Sequence, residues 1–143
     1  MDDRYAPQPL ARWYMAAAIA SFVLMVLPCI GALVHLTTDP ATLPLDERAQ
    51  FEAEPLWMVA AFGLTGLAGA IGGLMLILRR RLAEPLLLVA LIGIAAWFAG
   101  LFVNPQLRDL LSTGQIAVAL AVVAITWAIY GFARHSRQRG WLR

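Results

Sequence analysis

Four apolar runs, Trp13 to Leu36, Leu56 to Leu78, Leu82 to Val103 and Ile116 to Ala133, occupy most of the 143-residue chain. Each is close to the ~20 apolar residues that a helix needs to cross a bilayer. Hydrocarbon offers no partner for a backbone amide, so spans of this kind must satisfy their hydrogen bonds internally, as helices. The sequence therefore predicts an all-α, integral membrane four-helix bundle in a single domain. Four crossings return both termini to the same side.

Charge predicts which side that is. All 11 basic residues are arginines; Arg4, Arg12, Arg79, Arg80, Arg81, Arg134, Arg137, Arg139 and Arg143 fall on the terminal side, and only Arg48 and Arg108 fall opposite. Positive charge in short loops stays cytoplasmic. The expected arrangement is N-in/C-in in a bacterial inner membrane, multi-pass, with the Thr37 to Pro55 and Asn104 to Gln115 loops outside. The acids run the other way: Asp39, Asp46, Glu47, Glu52, Glu54 and Asp109 are outside, against Asp2, Asp3 and Glu84 inside. Arg79, Arg80, Arg81, Arg134, Arg137 and Arg139 sit at helix ends, where they are expected to snorkel to anionic headgroups. With its basic residues so placed, a sequence pI near 9.2 does not point to nucleic acid.

Local signals agree with this division. Glu54-Pro55 and Glu84-Pro85 each place an acid and a proline at a helix start, where the proline sacrifices no hydrogen bond and the carboxylate suits the positive helix end. The two starts share further residues at a 30-position offset (Val59 and Val89, Gly63 and Gly93). Common start chemistry accounts for this more simply than duplication. Pro28 is expected to kink the first helix. A secretory signal is disfavoured by the length of the first apolar run, by Asp2 and Asp3, and by Pro28 before Cys29. Cys29 is the only cysteine, which excludes an intrachain disulfide.

Small residues recur at helical spacing. Gly63, Gly66, Gly69, Ala70 and Gly73 mark the second helix, and Ala117, Ala121, Ala124, Ala128 and Gly131 mark the fourth. Such stripes let membrane helices approach closely where no hydrophobic effect drives them together. The two are expected to pack on each other, with a dimer interface as the second reading. Trp13, Tyr14, Trp57, Tyr130 and Trp141 lie where aromatic rings anchor helix ends at headgroup depth. Trp97 and Trp127 fall deeper, as core residues or as the lining of a cavity with Thr65 and Thr126.

Missing residue types exclude more functions than those present support. The central two-thirds of the four runs contain no ionisable side chain, whereas proton relays and coupled transporters need one. Opposed histidines for haem are lacking, because His35 and His135 fall at opposite membrane faces. No catalytic motif appears, and no catalytic, cofactor-binding or metal residue is assigned. The densest polar group is the first outer loop, where Leu45 to Glu54 has the pattern of a short amphipathic helix over the bundle mouth. His35, Asp39, Asp46, Glu47, Glu52 and Glu54 form the candidate outer-loop site, although their carboxylates lack the dense pattern of a calcium loop.

The run Thr37 to Arg48, with Pro55-Leu56-Trp57-Met58, Leu78-Arg79-Arg80-Arg81 and Trp141-Leu142-Arg143, resembles a group of small inner-membrane proteins of alphaproteobacteria, some labelled sugar transporters. The resemblance implies a bacterial inner-membrane location. Taken together, the residues favour a non-enzymatic accessory or structural subunit that packs with other membrane helices or with itself. The alternative is a transporter or channel for a small solute, sugar included, acting as an oligomer.

Overall fold

The computed structural model describes residues 9–143, so Asp2, Asp3 and Arg4 lie outside the described residues. It contains helices α1 (Tyr14–Thr37), α2 (Leu45–Ala53), α3 (Leu56–Ile77), α4 (Ala83–Val103), α5 (Pro105–Leu110) and α6 (Thr113–Gln138), with a short 3-10 turn at Pro40–Thr42. No strand occurs among the described residues. Helices α1, α3, α4 and α6 are each long and apolar enough to cross a membrane, which marks the chain as a multi-pass membrane protein by length and composition.

The first three spans begin and end within a residue of the hydropathy boundaries, but α6 overruns its apolar run at both ends. Ser112 and Gln115 form a capping box that starts α6 early. At the other end the backbone ladder continues through Arg134 to Gln138, because helix geometry does not depend on the side chains being apolar. Helix α5 was not anticipated. Asn104 caps it by accepting from the Leu107 amide, and Pro105 occupies its first turn, a start that needs only six residues and leaves no hydropathy signal.

The long helices pack in chain order: α1 against α3, α3 against α4, and α4 against α6. Glycines explain the tight part. A methyl added at Gly66 would stand 2.6 Å from Cys29 Cα, and one at Gly73 would stand 2.8 Å from Phe22 Cα, both on α1. No side chain fits at that separation. On the other flank, a methyl at Gly93 of α4 would meet the Ala61 carbonyl oxygen of α3 at 2.9 Å. Helix α3 is thus held between two close neighbours, and α1 runs unbroken through Pro28 beside it.

This arrangement corrects the expected pairing of the two stripes, since the α3 stripe meets α1 rather than α6. Ala117, Ala121, Ala124, Ala128 and Gly131 are all exposed, and α6 instead buries Ala119, Thr126, Ile129, Ala133 and Ser136. Those five follow a different helical face. Trp127 is 68% exposed, which removes it from the core and from any shared cavity. Thr65 and Thr126 are fully buried, but each hydroxyl donates to its own helix, to Ala61 at 2.9 Å and to Val122 at 2.7 Å.

The arginine-rich end is closed by the chain's own tail. Helix α3 ends with Arg79 at φ 57°; the Arg79 amide donates to Leu76 and the Arg80 amide to Met75, the paired bonds of a Schellman cap. Helix α6 ends the same way, with Gly140 at φ 72° and the Trp141 amide donating to Ser136. Gly140 takes this left-handed conformation without steric cost. The reversal lets the tail bond to the loop after α3 through the backbone: Arg81 N donates to Arg143 O at 3.1 Å and Arg143 N to Arg79 O at 2.6 Å.

As a result Trp141 and Leu142 are only 5% and 2% exposed, packed with Tyr14, Leu76, Leu87 and Ala133. Tyr14 is also buried and donates from its hydroxyl to the Leu76 carbonyl at 2.8 Å. Neither Tyr14 nor Trp141 is therefore a headgroup anchor; both plug the bundle, whereas Trp13 and Trp57 remain exposed at helix ends. Two of the arginines assigned to headgroups also serve the fold. Arg79 Nε donates to the Trp141 carbonyl at 3.0 Å, and Arg137 pairs with Glu84 at 2.6 Å. The side chains of Arg80, Arg81, Arg134 and Arg139 are exposed.

Candidate functional site

The opposite, acidic end is built from short pieces rather than long packed helices. The Asp39 carboxylate caps the 3-10 turn by accepting from the Ala41 amide at 2.9 Å. The chain then turns through Pro44 into α2. Leu45 is 85% exposed, so it does not contribute to the packed side of α2; Ala49, Gln50, Phe51 and Ala53 are the half-buried residues there. Helix α2 contacts α5. The two are joined by Asn104 Nδ2 donating to the Ala53 carbonyl at 2.9 Å and Gln50 Nε2 donating to the Leu110 carbonyl at 2.9 Å. Gln115, at the start of α6, donates to Gln50 Oε1 at 3.1 Å.

Among these pieces lies a chamber of about 370 Å³ that opens to the exterior, with a narrower adjoining recess of about 170 Å³ that shares Gly31, His35, Glu54 and Trp97 as walls. Glu54 is the central polar group. It precedes Pro55 and is held in extended backbone (φ −79°, ψ 116°), the conformation a following proline favours. Its side chain is 14% exposed. The Trp97 indole N–H donates to Glu54 Oε1 at 2.6 Å, and Glu54 Oε2 lies 3.5 Å from His35 Nε2. His35 in turn stacks on Phe51, with centroids 4.3 Å apart and planes 22° from parallel. The recess continues to Val59 and Phe62, and Phe62 and Trp97 are tilted rings 5.9 Å apart.

Of the expected outer-loop site, the structure brings His35 and Glu54 together and puts Glu47 on the chamber wall. It does not gather the others. Asp39 is committed to its cap, Glu52 pairs with Arg48 at 2.7 Å, and Asp46 is exposed in the first turn of α2. Among the described residues no three His, Cys, Asp or Glu side chains converge as a metal set. Trp97, expected in a cavity with Thr65, Thr126 and Trp127, belongs to this site without them.

The sequence reading missed Gln50, Gln115, Phe62 and the Trp97–Glu54 bond. Glu54 carried the signature of a helix-start acid, and nothing in a single sequence joins it to a residue 43 positions away. The chemical capacity of the arrangement is recognition: a fixed carboxylate beside aromatic faces, in a chamber within the size range of small-molecule sites.

On the flank of the bundle, a further opening of about 450 Å³ lies between Trp13 and α1 (Ala17, Ser21) on one side and α6 (Ile125, Ala128, Phe132) on the other. The two helices touch near the arginine-rich end, where Phe132 lies 5.8 Å from Trp13 and 5.5 Å from Tyr14, centroid to centroid. Ala17, Ala20 and Ser21 line its α1 side, while on the α6 side Ala128 lies among Ile125, Ile129 and Phe132. Comparison of the chain with protein-family models, with curated proteins and with solved structures finds no match.

Proposed function

We propose that this protein is a non-enzymatic subunit of the bacterial inner membrane that packs against other transmembrane helices, those of another membrane protein or of a second copy. The observation that carries this reading is the outward-facing stripe from Ala117 to Gly131 on α6, beside a groove whose α1 side is also lined by small residues. In α3 the same spacing accompanies intimate helix contact. On α6 it is unfilled among the described residues, and small side chains are what permit a second backbone to approach. The arginine-rich end faces the cytoplasm in this proposal, by the retention of positive charge on that side, and its exposed arginines meet anionic headgroups. Reporter fusions near Ala41 should then report outside and those after Gly140 inside; the reverse would overturn the orientation.

The test of the subunit reading is extraction in mild detergent. The wild-type chain should carry a stoichiometric protein companion, or migrate as a defined oligomer. An Ala124→Leu/Ala128→Leu variant should lose that companion while melting at the wild-type temperature. A wild-type chain that emerges alone, or a variant that keeps its companion, would overturn the proposal.

The second reading, transport of a small solute, is favoured by the acidic-end chamber. Its deepest walls, Val59, Phe62 and Trp97, lie within about two helical turns of that end. Uptake by purified protein in liposomes would establish this reading in place of the first.

A further inference from the structure

We propose that the acidic-end chamber is a binding site for a small organic ammonium, with its cationic head at Glu54 and Glu47 and its apolar part in the recess beside Trp97 and Phe62. This goes beyond the subunit reading and stands independently of it. Charge selects the head. Glu47 and Glu54 line the chamber, whereas Arg48 and Arg108 are turned to Glu52 and Asp109 on the exposed surface. A carboxylate anchored through one oxygen keeps the other as an acceptor. Trp97 holds Glu54 Oε1 at 2.6 Å, while Oε2 has His35 Nε2 at 3.5 Å, a separation at the outer limit of a bond.

The competing ligand classes fit less well. A neutral polyol would need free donors and acceptors, but the amides at the chamber are already engaged. Gln50 donates to Leu110 and accepts from Gln115, and Gln115 accepts from the Ser112 amide. An anion would meet two carboxylates. A metal ion would find no set of three ligating side chains among the described residues. An ammonium finds a carboxylate together with aromatic faces, His35 stacked on Phe51 and Trp97 near Phe62, the combination that favours cations through ring quadrupoles. Gly31 borders both the chamber and the recess, where a methyl would reach to 3.6 Å from the Phe62 ring and occupy space that glycine leaves free.

The ammonium could belong to a free amine or to a lipid headgroup. The experiment uses the full-length protein in dodecylmaltoside micelles, which contain no ammonium, at pH 8. Titration calorimetry with benzylammonium should give saturable binding, and benzyl alcohol should give none. Glu54→Gln, which keeps an acceptor for Trp97, should weaken binding at least about tenfold, the weight of one charge-assisted contact. Glu47→Gln alters only an exposed side chain and should weaken it roughly two- to threefold. This second variant keeps the test decisive if Glu54→Gln does not fold. Added phosphatidylethanolamine, but not phosphatidylglycerol, should compete if the headgroup is the source; undiminished binding assigns the site to a free amine. Absence of saturable binding to the wild type, equal binding of benzyl alcohol, or unchanged affinity in the foldable variants would overturn the proposal.

Discussion

Helices α3 and α6 carry the same sequence signature and end in opposite places. In α3, Gly66 and Gly73 lie so close to the α1 backbone that an added methyl would force that backbone to move. In α6, Gly131 has nothing within 4 Å of where its Cβ would stand, and its alanines face outward. A small-residue stripe therefore records a capacity for close approach, but not which helix makes it. Residue type sharpens the distinction. The α3 stripe relies on glycine at its closest contacts, while the α6 stripe is mostly alanine, leaving room for a partner at ordinary helix spacing.

The largest expected effect breaks or upholds this contrast directly. Gly66→Leu should cost at least ~3 kcal/mol of bundle stability by forcing side chain into the Cys29 backbone, read as a large fall in the detergent melting temperature. Gly131→Leu should leave that temperature unchanged. Similar losses from both would erase the difference between the helices.

A second contrast lies in how each helix is held. Helix α3 is gripped on two sides, whereas α6 packs on α4 and is closed at its end by the tail. Trp141→Ala should therefore cost about 3 kcal/mol and loosen α6 first, seen as faster amide exchange in Val122 to Ala133 than in α3. Uniform exchange would contradict this. Gly73→Ala should cost about 1–2 kcal/mol because Phe22 backbone must move, and Gly69→Ala less, because its nearest neighbour is the flexible Met25 sulfur at 2.9 Å. The smallest expected effect is that of Arg137→Gln. Its pair with Glu84 is 56% exposed on the arginine side, so the loss should be at most about 1 kcal/mol.

These contrasts also show how far the chain could be read before its structure. The four spans were legible because bilayer thickness and backbone hydrogen bonding leave few alternatives. The partner choice of α3 was not, because Gly66 and Gly131 look alike until the neighbouring backbone is in place. Trp127 was misplaced for a related reason: in a membrane-spanning helix an outward face can be as apolar as an inward one, so hydropathy does not distinguish core from surface. Trp141 reads as an anchor in the sequence because nothing short of the reversal at Gly140 reveals that the tail folds inward. At the candidate site, His35 and Glu54 were found as loop residues, but Trp97 was separated from them by its depth in an apolar run.

The proposed function requires that the exposed α6 stripe receive another helix. Its most direct test is a photo-crosslinking amino acid at position 124, activated in native membranes, with the same residue at position 71 on the exposed side of α3 as control. A discrete protein adduct of fixed mass from position 124, with none from position 71, is the predicted result. Lipid adducts alone at both positions would contradict it.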